Sequence, residues 1–100
     1  MYYIYILRSA SSTLCYVGHS DDPWRRLVEH NTSPHNTYTS KHRPWTLEAV
    51  YQVGNDRSEA MRIEKFIKKQ KSKALLEKLI EGSELYGILA QLVRVPHVRD

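Results

Sequence analysis

Five side chains, Tyr5, Tyr16, Arg26, His30 and Glu64, have types and spacing that could do chemistry together. Tyr5 lies in a run of β-branched, aromatic and aliphatic residues over positions 2–7, and Tyr16 in a second short run over 14–18. If the polar turn between them centres on Ala10 and Ser11, the two runs form an antiparallel hairpin. Tyr5 then stands opposite Tyr16, with both rings on one face. Arg26 and His30 are four apart and project together from one face of a helix. Glu64 stands at the margin of a later helix's apolar stripe, one turn before Lys68. An arginine offers a fixed fork of donors to anionic oxygens, and a carboxylate can hold a hard divalent cation. Histidine titrates near neutrality, whereas a free phenol titrates near about 10 and needs a stabilised phenolate to act as a base. Each residue also has a plainer use. The tyrosines could be core rings, Arg26 a surface cation like its neighbour Arg25, His30 a bridge from helix to loop, and Glu64–Lys68 a surface ion pair. With seven tyrosines in 100 residues, most must be structural.

The bulk of the sequence narrows the setting. One hundred residues make a single domain that can bury a core, and 41% hydrophobic with 26% charged residues is ordinary for a globular protein. No apolar run approaches the roughly 20 residues of a membrane-spanning helix, so no membrane partner is expected. The opening residues lack the basic flank of a secretory signal and read as a strand. With a lone cysteine, Cys15, they fit a cytoplasmic, reducing setting. The net charge of +4 favours an anionic partner. Between positions 57 and 73 the cations are Arg57, Arg62, Lys65, Lys68, Lys69, Lys71 and Lys73, against Glu59 and Glu64 alone, although a solvated helix face explains such a run equally well. His19, His35, His42 and His97 have neither paired spacing nor flanking cysteines, which argues against a zinc site.

Further elements must position the candidates. Ser20, Asp21 and Asp22 offer cap oxygens and Pro23 suits a first helical turn, with Trp24, Leu27 and Val28 as the buried stripe. Positions 31–44 read as a long polar loop and 45–53 as a third strand. The spacing Asp56-Arg57-Ser58-Glu59 opens a second helix, whose stripe is Ala60, Ile63, Phe66 and Ile67. A third helix over 72–80 ends at Gly82. Ser83 could cap a last short helix through Leu92, and 94–100 read as a frayed tail. The order is ββαβαα(α), an α+β class with helices flanking a small three-stranded antiparallel sheet. The expected organisation is a domain over 1–82, with a C-terminal helix and tail over 83–100 packed on it or extending it.

The motifs resemble the GIY-YIG nuclease family. Tyr3-Ile4-Tyr5 and Tyr16-Val17-Gly18 correspond to its two signatures at the family's spacing. The stretch from Asp21 to Asn31 is similar to its first helix, with Arg26 at the invariant arginine and His30 at the frequent histidine. Tyr38-Thr39-Ser40 and Arg43-Pro44-Trp45 resemble the linker into the third strand. The segment Ser58-Glu59-Ala60-Met61-Arg62-Ile63-Glu64-Lys65 resembles the helix with the catalytic glutamate, at Glu64. The likeness covers positions 2 to about 80 and is nearest to small stand-alone bacterial members, which are often named after the nuclease domain of the excision-repair incision subunit. Tyr3 replaces the glycine opening the first signature, and His19 stands where a serine or threonine is more usual.

The resemblance implies a one-metal phosphodiester hydrolase acting on DNA, with RNA left open, and a link to repair or recombination. It implies Glu64 as ligand of Mg²⁺ or Mn²⁺, Arg26 on the phosphorane charge, and Tyr5 (or Tyr16) holding or deprotonating the water, with His30 beside them. Lys41, Arg43, Arg62, Lys65, Lys68 and Lys69 become candidate phosphate contacts away from the cut. Two readings compete with a structure-directed endonuclease. One is a nucleic-acid-binding module with the same fold and little or no turnover. The other is a protein-interaction domain using the apolar stretch over 85–93.

Overall fold

The protein, described here from a computed structural model, is seen over residues 1–34 and 37–98; His35 and the last two positions of the expected tail lie outside the described residues. The order is β1 (Tyr2–Ser9), β2 (Cys15–Ser20), α1 (Pro23–Thr32), a 3₁₀ turn (Thr39–His42), β3 (Trp45–Gly54), α2 (Arg57–Gln70), α3 (Lys73–Glu81), a second 3₁₀ turn (Gly87–Gln91) and β4 (Val93–Val95). Among these residues no helix is long and apolar enough to cross a membrane.

β1 is central because its side chains are apolar on both faces. Ile4 and Ile6 join Val17, Ala49, Tyr51, Ile63, Ile67 and Leu79 in the core beneath α2 and α3. Tyr5 and Leu7 join Trp45 and Val50 on the other face, where Trp24 and Leu27 of α1 pack. The α+β class and the helix-flanked antiparallel sheet are as the sequence implies, but the sheet has four strands, in the order β2-β1-β3-β4. β2 is therefore an edge strand, with α1 on one side of it and α2 on the other.

The hairpin register differs from expectation. Tyr5 pairs with Gly18 and Leu7 with Tyr16, because the turn centres on Ser11 and Ser12. The Ser9 hydroxyl sets that centre by accepting the N–H groups of Ser11 and Ser12 at 3.1 and 3.0 Å. Moving the centre by one residue shifts the pairing by two, so Tyr5 and Tyr16 keep a common face. α1 also differs: Pro23 and His30 are its buried residues, while Val28 is 58% exposed. The inward stripe runs through 23, 27 and 30, because a histidine takes an inward position that the apolar pattern assigned to valine. The starts of α2 and α3 follow the sequence, with Asp56 capping α2 and Ser72 capping α3; Gly82 ends α3 in the left-handed conformation at φ 79°.

The C-terminal stretch is more ordered than a frayed tail. Leu89 and Leu92 enter the core beneath α2 and α3, and β4 pairs with β3 from Val50↔Val95 to Gln52↔Val93. Arg94 fastens this strand to the end of α3, donating to the Leu79 carbonyl at 2.7 Å, with its guanidinium 5.7 Å from the Tyr51 ring centre. Beyond the strand, the Trp24 indole N–H donates to the His97 carbonyl at 2.9 Å, tying α1 to the same segment. Arg94→Ala removes a charged hydrogen bond and a packed stem, and is expected to lower stability by about 1–3 kcal/mol. Urea unfolding measures this, and an unchanged midpoint would show that β4 is only loosely attached.

Candidate active site

Tyr5 lies across Gly18, its partner on β2. A Cβ built on Gly18 would stand 2.5 Å from Cζ and Oη of Tyr5, so the ring fits only because position 18 has no side chain. The phenol continues into α1, where its hydroxyl lies 2.9 Å from His30 Nε2. His30 Nδ1 lies 3.1 Å from Thr39 Oγ1 on the 3₁₀ turn. Burial, aided by the positive charges of Arg26 and Arg43 and opposed by Glu29, pushes His30 from 6.5 down to about 4. The imidazole is therefore neutral at pH 7; with the proton on Nδ1, that nitrogen donates to Thr39 and Nε2 accepts the proton of Tyr5, and with the proton on Nε2 both directions reverse. Burial also pushes the Tyr5 phenol well above the usual tyrosine range; the Tyr16 phenol adds to the rise and Arg26 opposes it. At rest Tyr5 is thus a neutral phenol held at its oxygen by a neutral imidazole.

The loop after α1 holds this arrangement. The Asn31 side chain brackets the backbone of Trp45, accepting its N–H at 2.7 Å and donating to its carbonyl at 3.0 Å. The Trp45 indole N–H donates to the Thr39 carbonyl at 2.7 Å, which fixes the 3₁₀ turn against β3. Arg43, an expected phosphate contact, has its guanidinium on the end of α1, donating to the His30 and Ser33 carbonyls at 2.6 and 2.7 Å. Its charge there complements the helix C-terminus.

Glu64 approaches from the opposite side of the β2 edge. Its Oε1 accepts from His19 Nδ1 at 2.9 Å and its Oε2 from Lys68 at 3.2 Å. The ion pair with Lys68 is thus present, and His19 is a partner that the sequence reading missed. Only one signal pointed to it, its departure from the serine or threonine usual after the second signature. Tyr5, Tyr16, Gly18, Arg26 and Glu64 line one cleft of about 540 Å³, together with His19. Arg57, read before as part of a basic run, lines it too, as does Arg25. His30 stands one layer behind, bonded to Tyr5, with its ring 4.9 Å from that of Tyr16. Arg26 reaches the cleft while its Nη1 donates to Glu29 at 3.1 Å. Among the expected phosphate contacts, Lys41, Lys65, Lys68 and Lys69 are exposed, and Arg62 pairs with Glu59, its Nε at 3.1 Å.

No group of three or more histidine, cysteine or acidic side chains gathers as a metal cage among the described residues. Glu64 offers a cleft-facing carboxylate, steadied by the His19 N–H. A single carboxylate fits a divalent ion completed by water and phosphate oxygens.

A small α+β domain whose edge strand brings two tyrosines, an arginine and a glutamate into one basic cleft has the make-up of a phosphodiester-cutting domain. The GIY-YIG catalytic domain family matches residues 1–78, and the chain belongs to that family, which implies nuclease-type chemistry. The chain is 37% identical over 90 residues to a UPF0213 protein of Aeromonas hydrophila, covering 90% of this chain and 64% of that protein, and so spans less than two thirds of that relative. It is 34% identical over 82 residues to a UPF0213 protein of Staphylococcus saprophyticus, covering 81% of this chain and 96% of that one.

Two outcomes follow from this packing. In an NMR titration the His30 ring should stay neutral from pH 8 down to near its value of about 4. Between 6.5 and about 4 the unfolded chain takes up a proton that the folded ring refuses, so stability falls as pH falls through that window, by on the order of 3 kcal/mol in all. A titration midpoint near 6.5 would contradict the buried assignment. Gly18→Ala should lower stability by about 1–3 kcal/mol through overpacking against Tyr5; an unchanged urea midpoint would mean that the ring moves freely.

Proposed function

We propose that the protein is a divalent-metal-dependent endonuclease that hydrolyses DNA phosphodiester bonds. Its targets on this reading are branched, nicked or single-stranded structures, and its setting is repair or recombination in the cytoplasm. One observation carries the reading: a carboxylate, an arginine and a phenol already bonded to a neutral imidazole meet in one cleft at the β2 edge.

On this reading the scissile phosphate lies against Arg26, whose fork of donors stabilises charge that grows on the phosphorane oxygens. The attacking water faces Tyr5. It donates a hydrogen bond to the phenolic oxygen, which His30 holds in place. As the water's oxygen bonds to phosphorus its proton passes to bulk water, and the bond to the leaving sugar oxygen breaks, that oxygen taking a proton from water. Using the phenol to orient the water avoids both a free phenolate and a buried imidazolium, which the burial of Tyr5 and His30 disfavours. Tyr16, beside Tyr5 with ring centres 6.3 Å apart, positions the water or the phosphate. Glu64 would hold the metal, with His19 steadying its Oε1. When bound, Mg²⁺ or Mn²⁺ supplies Lewis-acid charge at the phosphate. Lys41, Lys65 and Lys69 add contacts to the backbone, and Arg57 adds one at the cleft, giving salt-dependent binding without base readout.

The test incubates labelled flap, nicked, single-stranded and duplex DNA with the protein in Mg²⁺, Mn²⁺ or chelator. Cutting should require the metal. Glu64→Gln and Arg26→Ala should each lower it by about 10²-fold or more, with Glu64→Gln leaving affinity in chelator unchanged. Binding without cutting on every substrate would instead establish the non-catalytic module.

A further inference from the structure

A second depression of about 640 Å³ opens beside the catalytic cleft and shares Tyr16 with it. Its floor is carbon: Leu14 and Val17 of the hairpin, Ile67 and Leu76 of the helices, and the rings of Tyr16 and Tyr38. The volume lies in the range of about 300–1,000 Å³ that takes small planar ligands. Leu14 is 37% exposed and Tyr38 50% exposed, with the Tyr38 ring 5.0 Å from that of His42, so apolar surface faces water here.

The rim is cationic. Lys68, Lys71 and Lys73 line it against a single carboxylate, Glu77, which is already paired with Arg8 at 3.1 Å. Lys68 stands at the junction of the two depressions, 5.2 Å above the Tyr16 ring and 3.2 Å from Glu64 Oε2. An apolar, ring-lined floor with lysines around it, of which Lys71 and Lys73 have no ion-pair partner among the described residues, is the chemistry that binds a nucleotide with its base unpaired. The base stacks or packs on the floor, and its phosphates meet the ammonium groups. A base held in a duplex offers no free face to this floor. An acidic peptide would satisfy the lysines but leave the rings without a planar partner.

We propose that this groove seats the unpaired base of a nucleotide next to the scissile phosphate, so that the protein selects DNA with a single-stranded segment entering the cleft past Tyr16. The proposal rests on the nuclease reading for the position of the cut, but the groove itself is read by binding alone.

The test measures fluorescence polarisation of labelled single-stranded, flap and duplex DNA in chelator. Leu14→Asp and Tyr38→Ala are the probes, being exposed and outside the catalytic cleft, and circular dichroism confirms their folding. Each should weaken single-stranded and flap binding about fivefold or more, in line with the stacking of one base, while duplex binding changes less than twofold. An abasic residue scanned along the single strand should reproduce the loss at one position, and there Tyr38→Ala should add nothing further. Unchanged single-strand affinity, or an equal loss on duplex, would overturn the proposal. So would a concentration-dependent dimer abolished by Leu14→Asp, which would assign the groove to a second copy. Cutting unaffected by either substitution would sink the groove and leave the nuclease standing. The expected binding pattern without any cutting would do the reverse.

Discussion

The hydrogen bond between Tyr5 and His30 organises the active end of this molecule. It exists because the ring can cross β2 at the one position without a side chain, Gly18. It keeps a polar histidine on the buried face of α1, and it requires that histidine to be neutral, which burial and two nearby arginines enforce. The remaining nitrogen then sets the 3₁₀ turn through Thr39, and that turn is held in place by Trp45 and Asn31. One contact thus links the central strand, the first helix and the loop into the third strand.

The second constraint is the position of β2 at the sheet edge. A cleft formed inside a sheet would see only one face. At the edge, Tyr5 and Tyr16 approach from the side of α1, while His19 and Glu64 approach from the side of α2. The carboxylate and the phenols therefore lie on opposite faces of the sheet yet line one opening, so the metal-binding and water-positioning halves on our proposal are supported independently.

How much of this was legible follows from the range of each interaction. The two-sided burial of β1 was readable from residues 2–7, because adjacent apolar side chains on a strand must point to both faces. The caps at Asp56 and Gly82 were readable because capping is local. The register was missed by two residues, since the turn centre depends on a single Ser9 hydroxyl that two N–H groups share. β4 was missed because three residues before a proline carry no strand pattern of their own; Arg94 secures them through the Leu79 carbonyl of a distant helix. His19 was missed for a similar reason: no spacing rule couples positions 19 and 64, which meet only when α2 packs on β2. The groove beside Tyr16 joins the hairpin to two helices, and its apolar residues read singly as ordinary core.

The most direct test of the central claim, that both sides of the β2 edge serve one reaction, is a double-mutant cycle in single-turnover cleavage. Rates on a labelled flap DNA with saturating Mn²⁺ would be compared for the wild type, Tyr5→Phe, Glu64→Gln and the pair. If the phenol and the carboxylate act on one transition state, the double variant should be about as slow as the worse single variant, as groups that work as a unit are strongly non-additive. Losses that multiply in full, or a wild type that cuts nothing, would contradict the account.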